Sequence, residues 1–160
     1  MRRELARNQL SRFVVWTGDD GPVPAAAGVV GVEYRGRLGH PSSYGLLMAH
    51  ATDSLGVQFD IRSTSVALSV PCDEVALGLT EPEYRAALFA AGLVLGSGLV
   101  ITGAGEGQVG SSVVVFTRLA AVLSVLLAVG PGSVDDAELW ATWDEPWRAR
   151  RVPDTAANGG

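Results

Sequence analysis

Residues 103–112 read Gly-Ala-Gly-Glu-Gly-Gln-Val-Gly-Ser-Ser and run directly into a strongly apolar segment. Successive glycines ahead of a helix leave backbone N–H groups free to point at a ligand, with the positive end of the helix dipole behind them, and that arrangement holds phosphates and other anions. Gly105, Gly107, Gly110, Ser111 and Ser112 are therefore the anion-binding candidates. The same residue types also make a plain strand-to-helix connection in which Ser111 or Ser112 caps the helix. Phosphotransfer is not expected. All twelve basic residues are Arg, so a P-loop of the form G-x-x-x-x-G-K-S/T is absent, and no clear pair of carboxylates offers itself to magnesium.

A second candidate is a basic, aromatic tip. Arg35, Arg37 and His40 precede Pro41 in a loop between two extended segments, and Tyr44 opens the second of these. Guanidinium groups suit phosphate oxygens and a tyrosine ring offers a base a stacking surface, which makes these four the nucleic-acid or partner-binding candidates. A solvated loop is the alternative reading. The formal net charge of -5, with a pI near 4.9, gives the chain no general basic footprint for nucleic acid.

The remaining reactive side chains point to structure more than to catalysis. His50 shares a face with Leu46 and Met48 and reads as a half-buried histidine rather than a general base. Cys72 is the single cysteine, which excludes an internal disulfide and a zinc site of several Cys ligands. It is expected as an inert, partly buried thiol in a reducing cytoplasm. No catalytic residue, metal site or cofactor is assigned. Trp140, Trp143 and Trp147 recur at helical spacing and either clamp a last helix onto the domain or form a partner face.

The elements that must position these residues follow from patterning. A chain of 160 residues suits one well-filled core. The charged start and the interruptions at Arg7, Asn8, Gln9 and Arg12 do not resemble a signal peptide. Phe13 to Trp16 is a short β-type run within an expected extension over 1–27. Extended segments follow at 29–37, at 44–51 and at 57–61, the last two read as a β-hairpin turned by Asp53-Ser54-Leu55-Gly56. Val66, Leu68 and Val70 continue the strand pattern. Thr80-Glu81-Pro82-Glu83 then has the form of a capping box, with Thr80 and Glu83 satisfying each other's backbone N–H groups and Pro82 in the first turn. A helix from 81 to about 95, a short strand over 99–102 and a second helix from 112 to about 129 complete the main domain. The apolar stretch Val113–Val129 is too short to span a membrane and carries Arg118, so it is expected as a central buried helix or a homo-oligomer contact. A short helix after Ser133-Val134-Asp135-Asp136 and a disordered tail over 153–160 make up residues 131–160.

Several of these motifs together carry a resemblance. Tyr44-Gly45-Leu46-Leu47-Met48, then Gly56-Val57-Gln58-Phe59, then Glu81-Pro82-Glu83-Tyr84-Arg85-Ala86-Ala87 with Gly92, and finally Gly110-Ser111-Ser112-Val113, resemble domain IV of translation elongation factor G and of ribosomal protection proteins. The likeness covers roughly residues 29–129. Two departures are visible: that family's Asp-Gly-x-Tyr-His turn is replaced by Gly105-Glu106-Gly107-Gln108, and the GTPase domain is absent. The resemblance implies an α+β, ribosomal protein S5 domain 2-like fold over 28–130, a split β-α-β layout with a mostly antiparallel sheet and two helices on one face. Small-molecule kinases of the galactokinase and homoserine kinase group share that layout, and their Gly-Leu-Gly-Ser-Ser loop is similar to residues 103–112 here. Fold alone does not settle function. The expectation is a stand-alone, non-catalytic, cytoplasmic binding module acting on the ribosome or another macromolecule, with no membrane partner. The alternative is a small-molecule binder or enzyme that uses residues 103–112 as an anion site.

Overall fold

A computed structural model describes residues 1–62 and 66–147, so the tail expected at 153–160 lies outside the described residues. In chain order the strands are β1 (Arg2–Ala6), β2 (Arg12–Trp16), β3 (Val30–Arg35), β4 (Tyr44–Ala51), β5 (Gly56–Phe59), β6 (Val75–Leu77) and β7 (Gly98–Gly107). The helices are α1 (Pro82–Leu95), α2 (Val113–Val129) and α3 (Asp136–Asp144). The seven strands form one open, mostly antiparallel sheet in the order β1-β2-β3-β4-β7-β5, with β6 also on β7. The class is α+β.

Three strand assignments differ from the sequence reading. Residues 1–27 are not an appendage: β1 pairs with β2 and β2 with β3, so Val14 lies opposite Glu33 and Phe13 opposite Tyr34 within the sheet. β4 and β5 do not form a hairpin. β7 lies between them, antiparallel to β4 and parallel to β5, and α1 supplies the crossover that a parallel pair requires. Residues 66–70 are not a strand; Val70 makes only an isolated bridge to Asp73, and the edge strand is β6, which pairs with the second half of β7.

The sheet separates two cores. On one face Val15, Val32, Leu47, Ala49 and Ile101 meet Leu88 and Ala91 of α1, Phe116, Leu119 and Leu123 of α2, and Trp140 and Trp143 of α3. α1 and α2 thus lie side by side on the same face, as their apolar stripes require. Gly45 of β4 admits α2 closely, since a Cβ there would come within 2.5 Å of Val115 Cγ1. On the other face no helix packs. Val14, Trp16, Leu46 and Met48 are covered by Val23, Ala25 and Val29 from the β2–β3 connection and by Val70.

The helix ends show how local chemistry was redirected by tertiary contacts. α2 starts at Ser112, whose Oγ accepts from Val115 N–H at 3.2 Å, and α3 starts at Asp135, whose Oδ1 accepts from Glu138 N–H at 2.8 Å. α1 ends at Gly96, which adopts the left-handed conformation with φ 66° and donates its N–H to Gly92 O. The start of α1 is different. Its N-cap is Glu81, and no side chain of its own segment caps it. The carboxylate of Glu106 on β7 does so instead: Oε2 accepts from Thr80 N–H at 2.7 Å and Glu81 N–H at 3.3 Å, while Oε1 accepts from the Thr80 hydroxyl at 2.6 Å. The expected Thr80–Glu83 box is therefore replaced by a link from helix to sheet.

Glu106→Ala should cost about 3 kcal/mol, because several charge-assisted hydrogen bonds vanish and first-turn donors lose their acceptor. Thr80→Ala should cost about 1 kcal/mol alone and close to nothing in the Glu106→Ala background. Urea denaturation of the two single variants and the double variant measures both. Equal Thr80→Ala effects in the two backgrounds would place the Thr80 hydroxyl outside this link.

Candidate functional site

The glycine-rich segment divides into two parts with different roles. Its first half is strand, since β7 runs to Gly107 rather than stopping at 102. Gly103, Gly105 and Gly107 fall at alternate positions and face the large β4 side chains across the ladder. A Cβ on Gly103 would lie 2.8 Å from Met48 Sδ, and one on Gly105 would lie 3.2 Å from Leu46 Cβ. These glycines make room for their neighbours. The second half, 108–112, is a turn whose amides do hold an anion, and that anion is the chain's own Asp73. Val109 N–H donates to Asp73 Oδ1 at 2.9 Å and Gly110 N–H donates to Oδ2 at 2.8 Å. Gly107 N–H donates to Ser111 Oγ at 2.8 Å, and the Ser111 hydroxyl donates to Tyr44 O at 2.9 Å. Ser112 caps α2, its Oγ 3.0 Å from that of Ser42. Asp73 is a functional residue that the sequence does not mark, because the amides it holds lie 36 and 37 residues away.

The basic tip is also split. Tyr44 is fully buried, so its ring is not available to stack on a base. Its hydroxyl donates to Oε2 of the buried Glu33 at 2.9 Å, and Arg35 Nε donates to Oε1 of the same carboxylate at 2.8 Å. Arg35, Glu33 and Tyr44 form an internal ion pair and hydrogen bond in which every member has a partner, as burial demands. Burial, and next the negative charge of Glu33, push the Tyr44 hydroxyl well above the usual tyrosine range. Only Arg37 and His40 of the four candidates lie exposed in the β3–β4 connection.

Two further expectations find their places. Trp140 and Trp143 are buried against Phe13 and Tyr34, with the Phe13 and Trp140 rings stacked at 4.1 Å, and Trp147 beyond α3 is exposed. α2 buries most of its circumference within the chain, exposing Val113 and Val114 at its start and Val129 at its end. Exposed apolar side chains gather instead on the outer side of α1, at Phe89 and Leu93, with Leu55 nearby. Cys72 is exposed, with a left-handed φ of 63°. Among the described residues no helix is long and apolar enough to cross a membrane.

A concavity lies on the helix-free face of the sheet. It encloses about 480 Å³, with Leu46, Met48 and Gly103 as its floor. One wall is residues 23–29, held down by Trp16, whose Nε1–H donates to Val23 O at 2.9 Å. The other wall includes Ile61 and Leu77, and His50, Asp60, Arg62 and Thr102 supply the polar lining. A register shift between Met48 and Ala49 sets Met48 opposite Gly103 but Ala49 opposite Ile101, so Thr102 is the extra residue of a bulge. The bulge turns the consecutive residues Thr102 and Gly103 toward the same cavity. Sequence alone marked His50 as half-buried and Gly103 as loop; the bulge that brings them to one floor has no sequence signature.

Against family models, curated proteins and solved structures the chain matches none. The functional reading therefore rests on this geometry and on the short motifs described above.

Two measurements follow. The Tyr44 hydroxyl is raised in the folded state, so its contribution is whole below the ordinary tyrosine value of about 10 and is lost as pH rises above it. Unfolding free energy should fall above about pH 10 by up to roughly 1.4 kcal/mol per pH unit from this group, and Tyr44→Phe should flatten that fall while costing about 1–3 kcal/mol at neutral pH. Part of the slope should persist through Tyr84, whose hydroxyl is raised by the same cause. Asp73→Ala should cost about 2 kcal/mol by stripping two amides of their acceptor, with hydrogen exchange accelerated first at Val109 and Gly110.

Proposed function

We propose that this chain is a non-catalytic binding module that holds a small, largely apolar molecule in the cavity on the helix-free face of its sheet. The observation that carries this reading is the cavity itself. Its volume of about 480 Å³ falls within the roughly 300–1,000 Å³ of small-molecule sites, and an apolar floor meets a few polar groups at one side. Its floor stands on β4 and β7, two paired central strands, and the bulge at Thr102 shapes it. The buried groups with acid–base character support a binding role over a catalytic one. Glu33 and Glu106 are each committed to backbone donors or to internal partners, and Tyr44 is committed to Glu33.

A macromolecular reading, a module similar to elongation factor G domain IV acting on the ribosome or another large partner, is supported by the exposed Arg37 and His40 and by the short motifs. Its signature is salt-dependent co-sedimentation with ribosomes that weakens in Arg37→Ala. The small-molecule reading is favoured because Tyr44 is buried and Arg35 is paired with Glu33.

Titration with the fluorescent probe 2-naphthol tests the proposal. Saturable binding should raise the melting temperature, since a ligand that binds only the folded state stabilises it. Ala26→Trp and Ala27→Trp, which plug the rim from exposed positions, should each weaken binding at least about tenfold while circular dichroism stays unchanged. Absence of saturable binding, or affinity unaltered in both variants, defeats the cavity reading.

A further inference from the structure

Resting on the cavity reading above, we infer that the occupant is an electrically neutral molecule carrying a hydroxyl donor, and that His50 Nε2 accepts from it. The first support is charge. The charged side chains lining the cavity are Asp60 and Arg62, and they pair with each other across 3.7 Å. An anionic ligand would have to draw Arg62 from Asp60, and a cationic one the reverse. Both side chains are largely in water, at 84% and 61% exposure for Arg62 and Asp60, so screening leaves little gain from either exchange. An ionised group carried into the apolar floor would lose its hydration without a matched countercharge.

The second support is the direction of the histidine hydrogen bond. His50 Nδ1 lies 3.1 Å from Ala51 O. A carbonyl oxygen only accepts, so Nδ1 carries the proton, and Nε2 is then the acceptor of the neutral ring. This tautomer is assigned from the hydrogen bond. His50 shares the open face of β4 with Leu46 and Met48, and all three line the same cavity. A ring acceptor beside an apolar floor matches a ligand hydroxyl. It does not match a carboxylate, which brings only acceptors of its own.

The third support is shape. Gly103 has no side chain above the floor, and a Cβ there would press on Met48 Sδ at 2.8 Å. The Met48 side chain therefore lies across Gly103, and together with Leu46 it gives the cavity an apolar surface against which a ring can be laid.

The test compares three probes of one ring system: 2-naphthol, 2-methoxynaphthalene, which lacks the donor, and 2-naphthoate, which is anionic. 2-Naphthol should bind about three- to tenfold more tightly than 2-methoxynaphthalene, the worth of one neutral hydrogen bond. 2-Naphthoate should bind at least about tenfold more weakly than 2-naphthol. His50→Phe should abolish the preference for 2-naphthol over 2-methoxynaphthalene. His50→Gln, which keeps an acceptor, should retain part of the preference, and melting temperatures identify any variant that misfolds. Binding of 2-methoxynaphthalene that is lost in Ala27→Trp, without any naphthol preference, overturns the inference while sustaining the cavity reading. Tighter binding of naphthoate also overturns it. Failure of all three probes overturns the cavity reading and this inference with it.

Discussion

The bare open face of β7 is the constraint on which the rest of the molecule depends. With glycine at 103, 105 and 107, the strand leaves space for Met48, Leu46 and Tyr44 of β4 to lie across it. Filling any of the three positions would push a large buried neighbour, or Asp73, off its seat. The same strand pairs with β4, β5 and β6, so it is the one element through which both edges of the second half of the sheet are registered. Glycine in a strand interior normally weakens it by loss of packing and by conformational entropy. Here the packing is supplied from the adjacent strand.

Two carboxylates then tie the parts to this strand and to the turn after it, and a third joins the neighbouring strands β3 and β4. Glu106 reaches from β7 to the start of α1, Asp73 closes the turn between β7 and α2, and Glu33 sits between Arg35 and Tyr44 on the same face. Each occupies donors that would otherwise be buried without a partner, which costs more than an average hydrogen bond returns. The amides of the glycine-rich turn before α2, and those at the start of α1, do meet carboxylates. The anions that satisfy them belong to the chain, and the helix-free face is left as the place where a ligand can be accommodated.

What was legible in the sequence was what is local. The stripes of α1 and α2 predicted two helices on one face, and Ser112 and Asp135 cap as their types require. Pro82 and Glu83 correctly located the start of α1, but the partner of Thr80 is 26 residues away on a strand, so the capping box could not be distinguished from its substitute. Strand pairing failed for the same reason. Asp53-Ser54-Leu55-Gly56 is a convincing turn, yet β7 inserts between the strands it joins, and only the whole sheet decides that. The cavity was legible in fragments alone: His50 by its face, Gly103 by its type. Their meeting depends on the bulge at Thr102 and on Trp16 anchoring residues 23–29, neither of which follows from spacing.

The two ends of the described chain are joined by aromatic packing, and this explains why a nine-residue helix holds its place. Such a helix is marginal on its own. α3 sets Trp140 against Phe13 at 4.1 Å and Trp143 against Tyr34 at 4.0 Å, with Arg7 4.9 Å above the Trp140 ring and Arg118 5.5 Å above that of Trp143. Each aromatic pair is worth about 0.5–1.5 kcal/mol beyond the area it buries. Trp140 Nε1 is buried with no hydrogen-bond partner among the described residues, a cost that the stacking must offset. Phe13 belongs to β2, whose Val15 lies on the helix face and whose Trp16 lies in the floor-side core. Docking of α3 therefore holds β2 in the sheet, and β2 presents Trp16, which anchors the cavity wall on the opposite face. Through one strand, the helix side stabilises the side that carries the cavity.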